Sequence, residues 1–169
     1  MTQTIYLLDA NVLINAHNKY YPVDMVPEFW DWLIHAGEYG LIKMPIETFE
    51  EVRGGQEDLL TKWMKKPEVE KALILNESPD ISAVRYILDA GYAPDLTDTE
   101  IEQVGRDPFL VAYGVIDPEN RVVVTEEVSK PSKKRANRKV PDVCVDVGVS
   151  HCNTFLLLRK LGFTTGWNR

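Results

Sequence analysis

"YLLDANVLI", Tyr6 to Ile14, sets a continuous apolar run against a single carboxylate, Asp9, with an amide two positions later at Asn11. With Thr4 and Ile5 before it, the first half is the short, β-branched and aromatic run of a buried strand. From Asn11 onward the apolar residues turn to helical spacing. Asp9 therefore stands where a strand ends and a helix begins, the place where open parallel sheets meet their ligands.

The rest of the chain repeats that alternation. "VPEFWDWLIHAGEYG" (26–40) has a proline near its start, Phe29, Trp30, Leu33 and Ile34 at helical spacing and glycines toward its end, so it predicts a helix. "LIKMP" (41–45) predicts a second strand, and "IETFEEVRGG" (46–55) a helix closed by two glycines. From Glu57 to about Gly91 the pattern is helical, broken near Pro67 and at "NESPD" (76–80), where Ser78 or Asp80 can cap the next helix. "LTDTEIEQVGRDPFLVAYGV" (96–115) carries two helices, the second with Asp107 as N-cap and Pro108 as its first residue. "NRVVVTEE" (120–127) is a buried strand running into a polar loop. "VPDVCVDVGVSHCNTFLLLRKLG" (140–162) reads as one last helical stretch, and "FTTGW" (163–167) as a final edge strand. Strands alternating with helices, with no two-residue hairpin signal, predict an α/β fold of three layers, α/β/α, around a central, mainly parallel sheet. The 169 residues make a single domain, 1–169.

Composition narrows the function classes. At 44% hydrophobic and 27% charged residues the chain is neither disordered nor a fibrous repeat. No basic residue precedes the first apolar stretch, and no apolar run approaches the ~20 residues of a membrane span. The expected location is cytoplasmic, with no membrane contact. Cys144 and Cys152 lie eight apart in what reads as one helix, too far for a disulfide at ~1.5 Å per residue, and are expected to be buried thiols. His151 beside Cys152 lacks the paired spacings of a zinc site. The net charge of −7 argues against a general nucleic-acid binder. "KPSKKRANRK" (130–139) is the exception, six basic residues without an acid, either a solvated loop or a nucleic-acid contact.

Taken singly, each acid has a structural use: Asp9 and Asp107 as caps, Glu47, Glu50 and Glu51 as solvent-facing charges. Their convergence does not. Two like charges 4 Å apart cost about 4 kcal/mol at an effective dielectric of 20, and a divalent cation resolves that conflict. Oxygen-only ligands favour Mg²⁺ or Mn²⁺, which suits phosphodiester hydrolysis without a covalent nucleophile. No G-x-S-x-G, Walker A loop or G-x-G-x-x-G is present to indicate another α/β chemistry.

In order, "YLLDANVLI", "IETFEEV", "RDPFLVAYG" and "VVVTEEV" resemble the four acidic motifs of PIN-domain proteins, the family that includes toxin ribonucleases of bacterial toxin–antitoxin pairs. "VPDVC" after a basic loop resembles a less studied PIN-like branch. The resemblance covers most of the chain, with "LLDANVLI" and "RDPFLVAYG" its most specific parts. It implies a Mg²⁺- or Mn²⁺-dependent endoribonuclease with Asp9, Glu51 and Asp107 as metal ligands, Glu47 being the alternative to Glu51. Asn11 and Thr125 support the site. Glu127 is the fourth catalytic acid, with Asp142 or Asp146 as its alternatives. Lys133, Lys134, Arg135 and Arg138 are the candidate RNA-binding residues. The implied partners are an RNA substrate, a small antitoxin protein and, as an option, a second copy in a homodimer. Two rivals stand beside this reading. One is a catalytically inactive PIN-like scaffold acting through protein contacts. The other is an aspartyl-nucleophile phosphatase, which wants a second aspartate where Asn11 stands.

Overall fold

The computed structural model describes residues 2–169. Four strands, β1 (Ile5–Leu8), β2 (Ile42–Lys43), β3 (Arg121–Val124) and β4 (Ser150–Cys152), form one sheet in the order β2-β1-β3-β4. Every pairing is parallel, with Tyr6 opposite Ile42, Leu8 opposite Val124 and Val124 opposite Cys152. After β1 the chain moves to one side of the sheet, and β3 and β4 are laid on the other. The order therefore reverses between β1 and β3, where a crevice opens outside the carboxyl ends of such sheets.

Among the described residues, ten helices cover the two faces. Helix α1 (Ala10–Asn15) runs on as a π-helical turn over Ala16–Tyr20, and is followed by α2 (Pro27–Glu38), α3 (Ile46–Arg53), α4 (Leu59–Met64) and α5 (Pro67–Leu73). Then come α6 (Ile81–Tyr86) with a π-helical turn over Ile87–Tyr92, α7 (Asp98–Val104), α8 (Asp107–Val115), α9 (Val140–Val147) and α10 (Thr154–Lys160). Side chains alternate across a strand. Leu8 and Val124 accordingly join Leu13, Trp30, Phe49, Met64, Leu73 and Leu157 in one core, built from α1 to α5 and α10. Leu7 and Val123 join Ile87, Val104, Leu110, Val143 and Cys144 in a second core on the other face, built from α6 to α9. Both faces are buried, which is why "YLL" and "VVV" are unbroken apolar runs.

Most helix starts follow their sequence signals: Pro27 and Pro67 are the first residues of α2 and α5, and Asp80 caps α6 by accepting from the Ala83 amide at 3.0 Å. In α8 and α9 the proline, Pro108 or Pro141, is the second residue, so α8 starts one residue earlier than expected. Two elements near the C-terminus differ from expectation. The stretch 140–162 is not one helix: Gly148, at φ 76°, ends α9 in the left-handed conformation, and Ser150–Cys152 then pairs with β3 as β4. "FTTGW" is a turn rather than a strand, and its aromatic residues serve α2. Phe163 packs on Trp32 and Phe29 with ring centroids 5.0 and 5.7 Å apart, and the Trp167 indole donates to the Glu28 carbonyl at 2.8 Å. Cys144 and Cys152 are free, one on α9 and one on β4; Cys144 is buried and Cys152 half-buried. Among the described residues no helix is long and apolar enough to cross a membrane.

Candidate active site

Asp9 directly follows β1, and its amide continues the sheet ladder by donating to the Val124 carbonyl at 2.8 Å. Thr125 does the same after β3, donating to the Cys152 carbonyl at 3.0 Å. These two buried residues are joined by a short network. Asp9 Oδ1 accepts from the Ala10 amide at 2.8 Å, as an N-cap of α1, while Oδ2 accepts from the Thr125 hydroxyl at 2.8 Å and from Asn11 Nδ2 at 3.1 Å. Asn11 Oδ1 in turn accepts from the Glu126 amide at 2.9 Å. Asn11 thus bridges the ends of β1 and β3, and its amide is spent on that task rather than on chemistry.

A cleft of about 640 Å³ opens above this network, with Asp9, Asn11, Glu50, Glu51, Arg106, Asp107 and Glu127 on its walls. Its position follows from how the neighbouring helices are anchored. The Thr48 hydroxyl, on α3, donates to the Leu8 carbonyl at 3.0 Å, fixing α3 against the end of β1 and bringing Glu51 into the cleft. Glu47 is not on the cleft wall: its Oε1 accepts from the Tyr113 hydroxyl at 3.3 Å, and it lines a neighbouring groove with Ile46 and Phe109 that adjoins the cleft at Glu50 and Arg106. Glu50 reaches the cleft but is ion-paired with Arg53.

Asp107 is not the N-cap of α8. Arg106 takes that position without a side-chain capping bond, and Asp107 is the first residue of the helix. Its carboxylate is therefore free of capping and lines the cleft. Glu127 Oε2 accepts from the Val140 amide at 2.7 Å, tying the loop after β3 to the start of α9 while the residue remains on the cleft wall. The two alternatives to Glu127 are engaged elsewhere. Asp142 accepts from the Ser129 hydroxyl and from the Lys130 amide at 2.8 Å, and Asp146 pairs with Arg138 at 2.6 Å.

The acids of the cleft act on one another. Burial pushes the Asp9 carboxyl up to about 6, the Thr125 and Ala10 hydrogen bonds opposing and the Glu127 and Glu51 charges adding to the rise. Asp107 goes up to about 8, first by burial and then by the charges of Asp9, Glu127 and Glu51, with Lys139 pulling the other way. Such an all-oxygen set with surplus negative charge matches the donor chemistry of a hard divalent cation. Among the described residues, no three His, Cys, Asp or Glu side chains already stand together as a metal cluster. The fit is thus one of donor chemistry.

Two residues of this region were not marked by the sequence pattern. Arg106 is the basic residue on the cleft wall, and only its place beside Asp107 in "RDPF" could have drawn attention to it. Tyr92 is buried with its hydroxyl unpartnered, and burial and the nearby charges of Asp107, Glu127 and Asp9 raise its pKa. Nothing in the local sequence signals that position. The basic run divides in two. Lys133 and Lys134 are exposed, whereas Arg135 pairs with Asp95 at 2.7 Å and Glu100 at 2.9 Å, and Arg138 with Asp146.

With this geometry in place, one family model, a domain of unknown function designated DUF4411, matches residues 6–165. The chain belongs to the DUF4411 family. The match runs from β1 to beyond α10, so every wall of the cleft lies within the DUF4411 region. No curated protein and no solved structure matches the chain.

Proposed function

We propose that this DUF4411 chain is a PIN-like, Mg²⁺- or Mn²⁺-dependent endoribonuclease, and the toxin of a type II pair restrained by a small antitoxin. The observation that supports it most is the meeting of Asp9, Glu51, Asp107 and Glu127 on one cleft at the reversal point of a parallel sheet. When bound there, a divalent cation supplies Lewis acidity and lowers the pKa of a coordinated water toward neutrality. Asp9, Glu51 and Asp107 are the residues that would hold it. Thr125 and Asn11 orient Asp9 and favour its ionised form, because both donate to Oδ2. Asp107, with a pKa of about 8, holds its proton near neutral pH in the metal-free chain and gives it up when positive charge enters the cleft. Glu127 keeps one oxygen on the Val140 amide, so its carboxylate is fixed in place beside the ligands.

RNA as substrate, the toxin role, the antitoxin and a homodimer rest on the PIN-domain resemblance of the four motifs. The test is a Mn²⁺ titration of the purified chain, following the melting temperature together with cleavage of a labelled RNA. Binding to the folded state alone should raise Tm, and cleavage should require the ion. Asp9→Asn and Asp107→Asn should each abolish cleavage. A flat titration into the millimolar range, or cleavage by either variant at the parent rate, sinks the assignment and leaves the non-catalytic scaffold. Growth arrest on expression, relieved by co-expressing a small protein encoded beside the gene, tests the toxin role separately.

A further inference from the structure

The cleft walls carry five carboxylates, on Asp9, Glu50, Glu51, Asp107 and Glu127, against a single basic residue, Arg106. Arg106 is exposed, and its Nη1 donates to the backbone carbonyl of Glu47 at 2.8 Å. That bond spans from the start of α8 to α3 and fixes the guanidinium on the rim of the cleft. Elsewhere in this chain arginines near acids pair with them: Arg53 with Glu50 and Glu70, Arg121 with Glu77, Arg135 with Asp95 and Glu100, Arg138 with Asp146. Arg106 lies between Asp107 on its own helix and Glu47, Glu50 and Glu51 on α3. Yet among the described residues it has no ion-pair partner, and Glu47 enters its surroundings through a carbonyl rather than a carboxylate.

We propose that Arg106 binds a phosphate of the RNA strand that enters this cleft, a proposal that rests on the nuclease reading. Even with Glu50 paired to Arg53 and Asp107 protonated near neutral pH, a polyanion approaching the remaining acids is repelled, and a cation bound among the acids offsets that repulsion only at the phosphate it touches. The neighbouring phosphates need a counter-charge of their own. A guanidinium suits the task because its planar fork matches two phosphate oxygens and its charge does not titrate. Anchoring one N–H on Glu47 leaves its other donors without a protein acceptor while holding the side chain in place, so little conformational freedom is lost when the phosphate arrives. Glu47 thereby acquires a role as a positioning residue, through its backbone and away from the metal.

The test compares the parent with Arg106→Ala, Arg106→Gln and Arg106→Lys, by fluorescence anisotropy with a labelled single-stranded RNA decamer in EDTA, over a series of KCl concentrations. Arg106→Ala should weaken binding about tenfold, as expected for losing a hydrogen bond to a charged group. It should also flatten the dependence of log K on log salt by about 0.7, the value for one contact to a single strand. Arg106→Gln keeps a donor for the Glu47 carbonyl without the charge and should behave like Arg106→Ala, even if the alanine variant melts lower. Arg106→Lys should recover the slope but not the full affinity. Parent-like affinity and slope in the glutamine variant overturn the proposal while the nuclease reading stands. If the parent fails to cleave RNA with Mn²⁺ yet binds it in an Arg106-dependent way, the nuclease reading falls and phosphate binding stands. A parent that binds no RNA overturns both.

Discussion

Asp107 occupies the first position of α8, partly buried, with no capping bond to offset its desolvation and with the charges of Asp9, Glu127 and Glu51 nearby. A capping aspartate would tolerate asparagine without change, since the two cap equally well. Here the outcome differs. The folded-state pKa is about 8 against about 4 for an unfolded aspartate, so between those values the folded chain binds the proton more tightly. Stability is then highest at the acid end of that window and falls as pH rises through it. Asp9, raised to about 6, adds to the fall in the lower half of the window. Melting of the metal-free protein at a series of pH values should show Tm falling from pH 5 to 8.5. Asp107→Asn should raise Tm at pH 8 by several degrees, at about 2–4 °C per kcal/mol for a chain of this size, and should make the pH dependence shallower. An unchanged slope would show that Asp107 is not the titrating group. Thr125→Val makes a complementary test, removing a donor to Asp9 Oδ2 without changing the side chain's shape. Partners of ligands typically contribute 10–100-fold in metal affinity, so the Mn²⁺ needed to raise Tm should increase by at least about tenfold.

Whole elements were legible where one periodicity dominated and illegible where two readings shared it. On α3, Glu47 and Glu51 are four residues apart and share a face, so helical spacing cannot separate them. The ~6 Å rise between them decides the matter, placing Glu51 in the cleft and Glu47 beneath the Tyr113 hydroxyl. Glu51→Gln should therefore lose most of the Mn²⁺-induced rise in Tm and Glu47→Gln should keep it; the reverse result would exchange their roles. β4 escaped notice because Ser150, His151 and Cys152 present no apolar alternation, Ser150 and His151 being exposed. The available signal was Gly148, a helix-ending glycine inside an apparently continuous apolar pattern. Gly37, on α2, has a different reason to be glycine: a Cβ there would stand 2.6 Å from the Ala72 carbonyl oxygen of α5. Backbone cannot move aside cheaply, so Gly37→Ala should cost about 1–3 kcal/mol in urea unfolding, as overpacking does. A variant as stable as the parent would mean that α2 and α5 separate without penalty.

For the molecule as a whole, the strand–helix alternation made the parallel sheet and the edge bearing the acids legible, because burial on both faces leaves unbroken apolar strands. What local pattern could not convey was how charge is distributed in three dimensions. "KPSKKRANRK" reads as one basic patch, yet Arg135 and Arg138 are ion-paired with acids of α7 and α9, which tie the loop to the body. Lys133 and Lys134 project outward. Under the proposed nuclease function, affinity for RNA on a chain of net charge −7 would come from cations left unpaired, and these lysines can release counterions in a way that the paired arginines cannot. Replacing Lys133 and Lys134 with serine should leave Tm unchanged and flatten the slope of log K against log salt by roughly 1.4, two contacts at ~0.7 each for a single strand. Arg135→Ser should do the opposite. It breaks the ion pairs to Asp95 and Glu100, so the loop loosens and Tm drops, while the salt slope stays near the parent value once folding is accounted for. Binding at several salt concentrations alongside thermal melts separates the two classes. If the lysine variant runs parallel to the parent and the arginine variant does not, RNA contacts the paired residues instead, and the ion pairs holding the loop must open when the strand binds.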